Sequence, residues 1–450
     1  MEGWASAPGP FRAIHSKRGT NHRIQSPESA ADREDRSASP RRMTLPRIHI
    51  GRPQRLAALL LLAFLAQCLW VVGHQELSTS DYRFARCGRE MWERPSPLEG
   101  YFTTCGNLNG DGTFAYRAAG LPLTLQRLVL LAADHLRAPA NRLYPGDSLN
   151  GSTWESRHQL QFVVVLIHLP FVLFAFWLGG GLWWVARRLY GNQGGFFALG
   201  LYCFCPAVVR MAVTPNNDVL AMWGLYGLIY TAIGVAHAMQ GPRRRWRPRI
   251  ALLTIAFGFT AAAHLLAAIF GFFAALVFML YLAEKRRGYV MQILLISVIG
   301  ALAILFAFYG FHLAAFSYVF TGGAARFWFS LAGPIRFIFD RGFAGSLANF
   351  PILTSACVAA LLYCVVPRSR YFGNTAPLLV LLALAPLITT QTVGAPWLWA
   401  LPFFFTFIGG VFVDALETRY RKLFLVLTGT ILVAQATACL LTLPLIASQF

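Results

Sequence analysis

Between Ser80 and Trp92 the chain sets its densest group of ionisable side chains beside a long apolar stretch: Asp81, Arg83, Arg86 and Arg89 fall within nine residues. Such groups do not rest in hydrocarbon, so they belong at the membrane interface, where a lipid head group arrives. A carboxylate there can take a proton from an acceptor hydroxyl, a step worth about 10²- to 10⁴-fold. Arginines beside it can offset an anionic phosphate. Asp81 is the first candidate base, and its bland alternative is a solvated aspartate bridged to Arg83 or Arg86. Glu76, nearer the membrane along with His74, ranks second.

A second group is the polar turn Thr214-Pro215-Asn216-Asn217-Asp218 between two apolar spans. One of its side chains is enough to cap the helix that follows. Asn217 and Asp218 can then hold a sugar hydroxyl or a cation, and Arg210, one turn earlier, can meet a phosphate. His264 sits where two apolar segments join without a polar linker. A lone histidine in that setting is either a packing residue or a ligand-facing one. The carboxylates of Asp81 and Asp218 are compatible with a divalent metal but too few to define a site for one. The eight cysteines show no zinc-like spacing. Cys87 and Cys105 share one polar loop, and in an oxidising compartment they can close a loop of roughly 18 residues, worth about 3 kcal/mol in the chain-entropy model.

Of 450 residues 56% are hydrophobic and 13% charged, with 37 Phe and 12 Trp, a composition outside the range of soluble domains. The class is therefore an all-α polytopic membrane protein. The net charge of +20, from 39 Lys and Arg against 19 Asp and Glu, would suggest nucleic acid in a soluble protein. Here the basic residues fall in short clusters between apolar runs, so the charge is topological and no nucleic-acid partner is expected.

Residues 1–54 are rich in Arg, Ser, Pro and Gly without apolar periodicity and read as a disordered cytoplasmic arm, with Met43 an alternative start. The remainder, 55–450, reads as one transmembrane domain. Apolar spans are expected at 56–73, 160–185, 194–213, 218–239, 250–264, 266–284, 291–313, 350–366, 375–391, 396–415 and 423–446, about eleven transmembrane helices. Alternation from a cytoplasmic N-terminus puts every basic cluster inside. It puts 74–158, 214–218, the His264 turn, 314–349 and 389–396 outside. Within the large 74–158 loop, Leu121 to Leu136 reads as a helix lying in the interface.

These residues carry a resemblance. A carboxylate just past the first span, then Arg83-Phe84-Ala85 and Arg89-Glu90-Met91-Trp92, is similar to the GT-C superfamily of polytopic glycosyltransferases, in its aminoarabinose-transferase and protein-mannosyltransferase-like branch. Val185 to Gly191 resembles the family's cytoplasmic basic turn, and Thr214 to Asp218 its second outside-loop carboxylate motif. The likeness covers about 55–285. It departs from the pattern at Ser80-Asp81, where the family carries an Asp-Glu pair. It departs again near His264, where a lysine is missing, and at Ala395 to Trp399, where a late Arg-Tyr is missing.

The resemblance implies transfer of a sugar from a polyprenyl-phosphate donor to a lipid, glycan or protein acceptor, on the non-cytoplasmic face of a bacterial inner membrane. Asp81 or Glu76 would act as base, with Arg83, Arg210, Asn217, Asp218 and His264 on the donor, and Arg326 or Arg336 as further phosphate partners. A leaving group that is already anionic needs charge stabilisation more than protonation. Two alternatives remain open: a flippase of polyprenyl-linked substrates, and a GT-C-fold subunit that has lost activity.

Overall fold

The computed structural model describes residues 51–93, 112–137, 157–241, 246–283, 286–313, 316–317, 319, 327–329, 347–365, 388–390 and 396–448. The first helix, α1 (Arg52–His74), opens on Pro53, whose fixed φ and missing N–H suit a helix start. Its buried residues Ala57, Leu61, Phe64, Cys68 and Val71 recur in steps of four and three, one packed seam, while Leu56, Leu59 and Leu62 face outward. An apolar surface with a single seam is what a span needs when the rest of it meets lipid.

Beyond α2 (Thr79–Glu93) and α3 (Phe114–Arg137), the run α4 (Arg157–Cys203) is too long for one crossing. Gly191, at φ 80° and ψ −175°, breaks it into two arms. Tyr202 Oη donates to Ala175 O at 2.7 Å, and His168 Nδ1 meets Val213 O at 2.5 Å, so the arms run back along one another. The expected spans 160–185 and 194–213 are thus an antiparallel hairpin. A glycine is needed at its bend because a side chain at that φ would be strained.

The second arm is itself interrupted. Cys203 ends α4, and α5 (Pro206–Ala212) restarts on a proline that cannot donate to the preceding turn. The freed carbonyls are met from two other helices. Gln67 of α1 donates to Cys203 O at 3.4 Å, and Gln435 donates to Phe204 O at 2.7 Å and Ala348 O at 3.1 Å. Two glutamines in apolar helices are therefore the partners that let this segment break inside the bundle.

The remaining helices are α6 (Asn217–Met239), α7 (Arg247–Ala263), α8 (Leu265–Leu282), α9 (Arg287–Phe308), α10 (Phe350–Val365), α11 (Leu401–Leu416) and α12 (Arg421–Ser448), with 3₁₀ turns at Leu347–Asn349 and Pro396–Ala400. Among the described residues, seven helices are long and apolar enough to cross a membrane by length and composition. The end of the span expected at 375–391 is corrected: Ile388–Thr390 pairs antiparallel with Phe327–Phe329 as a short two-stranded sheet. Its earlier residues, like the arm through residue 50, lie outside the described residues. The first helix begins inside the stretch read as that arm, at Arg52.

At one end of the bundle, basic side chains serve helix C-termini. Arg286 donates to Met239 O and Gly241 O, and Arg287 to Leu280 O, a favourable placement against the helix dipole. Among the described residues, the 74–158 loop, the 214–218 turn and the His264 turn meet at the opposite end.

Replacing Gln435 with Leu leaves Phe204 O and Ala348 O without that donor. The expected loss is about 1–3 kcal/mol of stability, read as a lower thermal unfolding midpoint in detergent. An unchanged midpoint would show that the break does not depend on this residue.

Candidate functional site

The helix α2 was not foreseen in the sequence, although its start is written there. Ser78 Oγ accepts from Asp81 N at 3.1 Å and Asp81 Oδ2 accepts from Ser78 N at 3.0 Å, a reciprocal cap that starts the helix. Asp81 is only 2% exposed. Its Oδ1 lies 3.3 Å from Nε2 of His168, which is buried on the first arm of α4. The two atoms are in contact, but Nε2 makes no aligned hydrogen bond. Burial would lift the Asp81 carboxyl, but His168 and Ser78 outweigh it and hold the group below the usual carboxylate range.

Helix α3 crosses α2 at Gly88 and Gly120. A Cβ on Gly88 would stand 2.0 Å from Tyr116 O, and one on Gly120 would stand 2.1 Å from the Gly88 carbonyl carbon, so the backbones touch. The pair is fastened to the bundle end. Gly112 N donates to Ala263 O at 3.0 Å, and Thr113 Oγ1 and Arg117 Nε both donate to Phe308 O at 2.8 Å. That carbonyl is the last of α9, and without these donors it would be orphaned. On the same pair Glu93 accepts from both Arg89 and Arg127, which outweigh its burial and hold it low.

In the turn before α6 the capping role falls to Asn216, whose Oδ1 accepts from Val219 N at 3.1 Å. Asn217 and Asp218 are therefore released for other work. Asn217 Oδ1 accepts from Ala115 N at 3.3 Å, while its buried Nδ2 has no partner. Half-buried Asp218 accepts from Trp399 Nε1 at 3.0 Å. His264 caps α8 through Nδ1, which accepts from Leu266 N at 3.2 Å, and its ring centroid is 4.9 Å from that of Trp399. With Nδ1 accepting, Nε2 carries the proton, and it too is buried without a partner.

Asp81, Asn217, Asp218 and His264 thus gather at one bundle end, though Asp81 and Asp218 have different partners. Glu76 is exposed between α1 and α2 and makes no ion pair among the described residues. Arg210 is exposed on a short helix whose other residues are buried, and it too makes no ion pair among the described residues. Arg83 is exposed on α2. Arg326, Arg336 and Cys105 lie outside the described residues. Cys87 is disulfide-bonded, and Cys68, Cys203, Cys205, Cys357, Cys364 and Cys439 are free. Among the described residues, no three His, Cys, Asp or Glu side chains gather closely enough to hold a metal ion.

Two site neighbours were missed in the sequence. His168 stands inside an apolar span with nothing around it to mark it. Trp399 lies in the segment that departs from the family pattern, where nothing in the sequence marks its indole N–H as a partner for Asp218.

Apolar helices of spanning length, a first-loop helix pair across their end, and a polar turn before the next span define a polytopic membrane protein with a GT-C-like fold. The likeness is to ArnT from Cupriavidus metallidurans, an aminoarabinose transferase, in its apo crystal structure, with a TM-score of 0.52 over 83% of this chain. Identity is 12%, so the match speaks for the fold, and this chain spans 61% of the ArnT chain. No protein-family model and no curated protein sequence matches.

Because the folded Asp81 carboxyl is held low, its contribution to stability is complete above the unfolded value of about 3.9 and is lost as pH falls through the lower folded value. Melting curves collected on acidification from about pH 6 to pH 3 should show the unmodified protein losing an increment that Asp81→Asn does not lose. Parallel curves for the two proteins would show that the surroundings of Asp81 do not favour its charged form.

Proposed function

We propose that this chain is a GT-C-type glycosyltransferase that takes a sugar from a polyprenyl phosphate and passes it to a lipid, glycan or protein acceptor. It acts on the non-cytoplasmic side, at the bundle end that carries α2 and α3. The observation that carries the reading is the ArnT-like fold over 83% of the chain, with the first-loop acids, the 214–218 turn and His264 brought to one end of it. Orphaned buried donors support a ligand there. Asn217 Nδ2 and His264 Nε2 each carry a penalty of about 1–3 kcal/mol that an oxygen-rich substrate would relieve.

The roles divide by exposure. Glu76 is open and Asp81 is enclosed by Ser78 and His168, so we assign acceptor deprotonation to Glu76 and place Asp81 second. The acceptor oxygen gives its proton to the carboxylate and bonds to the anomeric carbon as the bond to the phosphate oxygen breaks. The electron pair leaves on the polyprenyl phosphate. Arg210, with Arg83 as its companion from α2, offsets that charge. Asn217, Asp218 and His264 hold the sugar.

A second reading is a GT-C-fold subunit without activity. It is favoured by Ser80 standing where the family carries its acid and by the burial of Asp81.

Transfer from a panel of polyprenyl-phosphate sugars in reconstituted vesicles tests both. Glu76→Gln should lower kcat by about 10²-fold or more, with a much smaller loss in Asp81→Asn. Arg210→Gln should weaken donor binding by about 10-fold or more, the loss of one charge-assisted contact. A collapse confined to Asp81→Asn would return the base to Asp81. No transfer by the unmodified protein from any donor would leave the inactive-subunit reading, unless intact lipid-linked sugar crosses the bilayer, which would make it a carrier.

A further inference from the structure

His168 belongs to no motif, yet it bridges the two parts of the candidate site. The residue is 1% exposed. Nδ1 must donate to the carbonyl of Val213 at 2.5 Å, because a carbonyl only accepts. Nε2 then faces Asp81 Oδ1 at 3.3 Å. Two bare acceptors facing each other in a buried site would repel, so the contact is attractive only with a hydrogen on one of the two facing atoms.

Both ends of this bridge lead directly to residues with assigned roles. Asp81 Oδ2 holds the Ser78 amide, two positions after Glu76. Val213 runs into Thr214, whose Oγ1 donates to Arg210 O at 2.7 Å. Glu76 and Arg210 are thus carried on segments that meet through one imidazole.

We infer that His168 is a positioning residue. By joining Asp81 to the Val213 carbonyl it sets the spacing between the segment bearing the acceptor's base and the segment bearing the arginine for the donor phosphate. The inference rests on the glycosyltransferase reading for its chemistry, but the bridge itself does not need that reading. It also accounts for the burial of Asp81.

Bond complementarity supplies the test. In His168→Gln the amide N–H can still donate to Val213 O, but its oxygen then faces the Asp81 carboxylate, acceptor against acceptor. Adding Asp81→Asn turns that clash into an N–H donating to the amide oxygen. The thermal midpoint should fall in His168→Gln and recover in the double variant. Hydrogen exchange of the Gln75–Ser78 and Val213–Asn217 amides should speed up in the single variant and slow again in the double.

Where transfer is measured, kcat should fall by about 10²-fold in His168→Gln, the cost of a misplacement near 1 Å. KM for the donor should move far less, and the second substitution should restore part of the rate. Additive losses in midpoint and exchange would overturn the bridge. Full turnover in His168→Gln would overturn the positioning role. A protein that transfers nothing yet shows the thermal and exchange recovery would retire the glycosyltransferase reading and leave the bridge standing.

Discussion

A carboxylate buried at the end of an apolar bundle cannot be left alone, and the Asp81–His168 contact is the constraint on which the site end depends. The pair forms only if α2 starts at Ser78, which the reciprocal cap achieves, and only if the second arm of α4 returns to place Val213 beside the ring. That return requires the bend at Gly191 and the restart at Pro206. The restart in turn frees carbonyls that Gln67 and Gln435 must meet. Gln67, His168 and Gln435 therefore each stand at a joint, where helical hydrogen bonding is interrupted and a backbone carbonyl needs a donor from another segment.

The spans were legible because lipid solvation demands long apolar runs and leaves the charges at their ends. The same logic foretold that the 74–158 loop, the 214–218 turn and the His264 turn share an end, and contacts among Gly112, Ala263, Ala115, Asn217 and Trp399 bear this out. It failed for α2. That helix is short and polar and buries Asp81, Ala85, Gly88 and Met91, so no apolar run announces it, and only the Ser78-x-x-Asp81 pairing marks its start.

Partners remote in sequence were illegible for a different reason. Nothing at position 168 or 399 states which backbone carbonyl or carboxylate will lie opposite once the arms fold. The strand at Ile388–Thr390 was hidden by an apolar composition that serves helix and strand alike.

The departure at Ser80-Asp81 takes on a specific sense against this geometry. In a one-residue register slip the acid would simply stand in for its neighbour, and it would have to face the substrate. Successive positions on a helix point about 100° apart, however, and here Asp81 turns into the bundle while Ser80 is exposed. An acid at position 81 is thus oriented for His168, and one at position 80 would have been oriented outward. The slip does not merely relocate a base; it changes which side of the helix the charge serves. The exposed carboxylate nearest that vacated face along the chain is Glu76, one segment earlier and ahead of the cap, where it is free of any ion pair among the described residues. On the glycosyltransferase reading proposed above, a chain whose inner acid faces His168 draws its chemistry from such an outward group, and Glu76 is the exposed carboxylate beside it, two positions before the Ser78 amide that Asp81 holds.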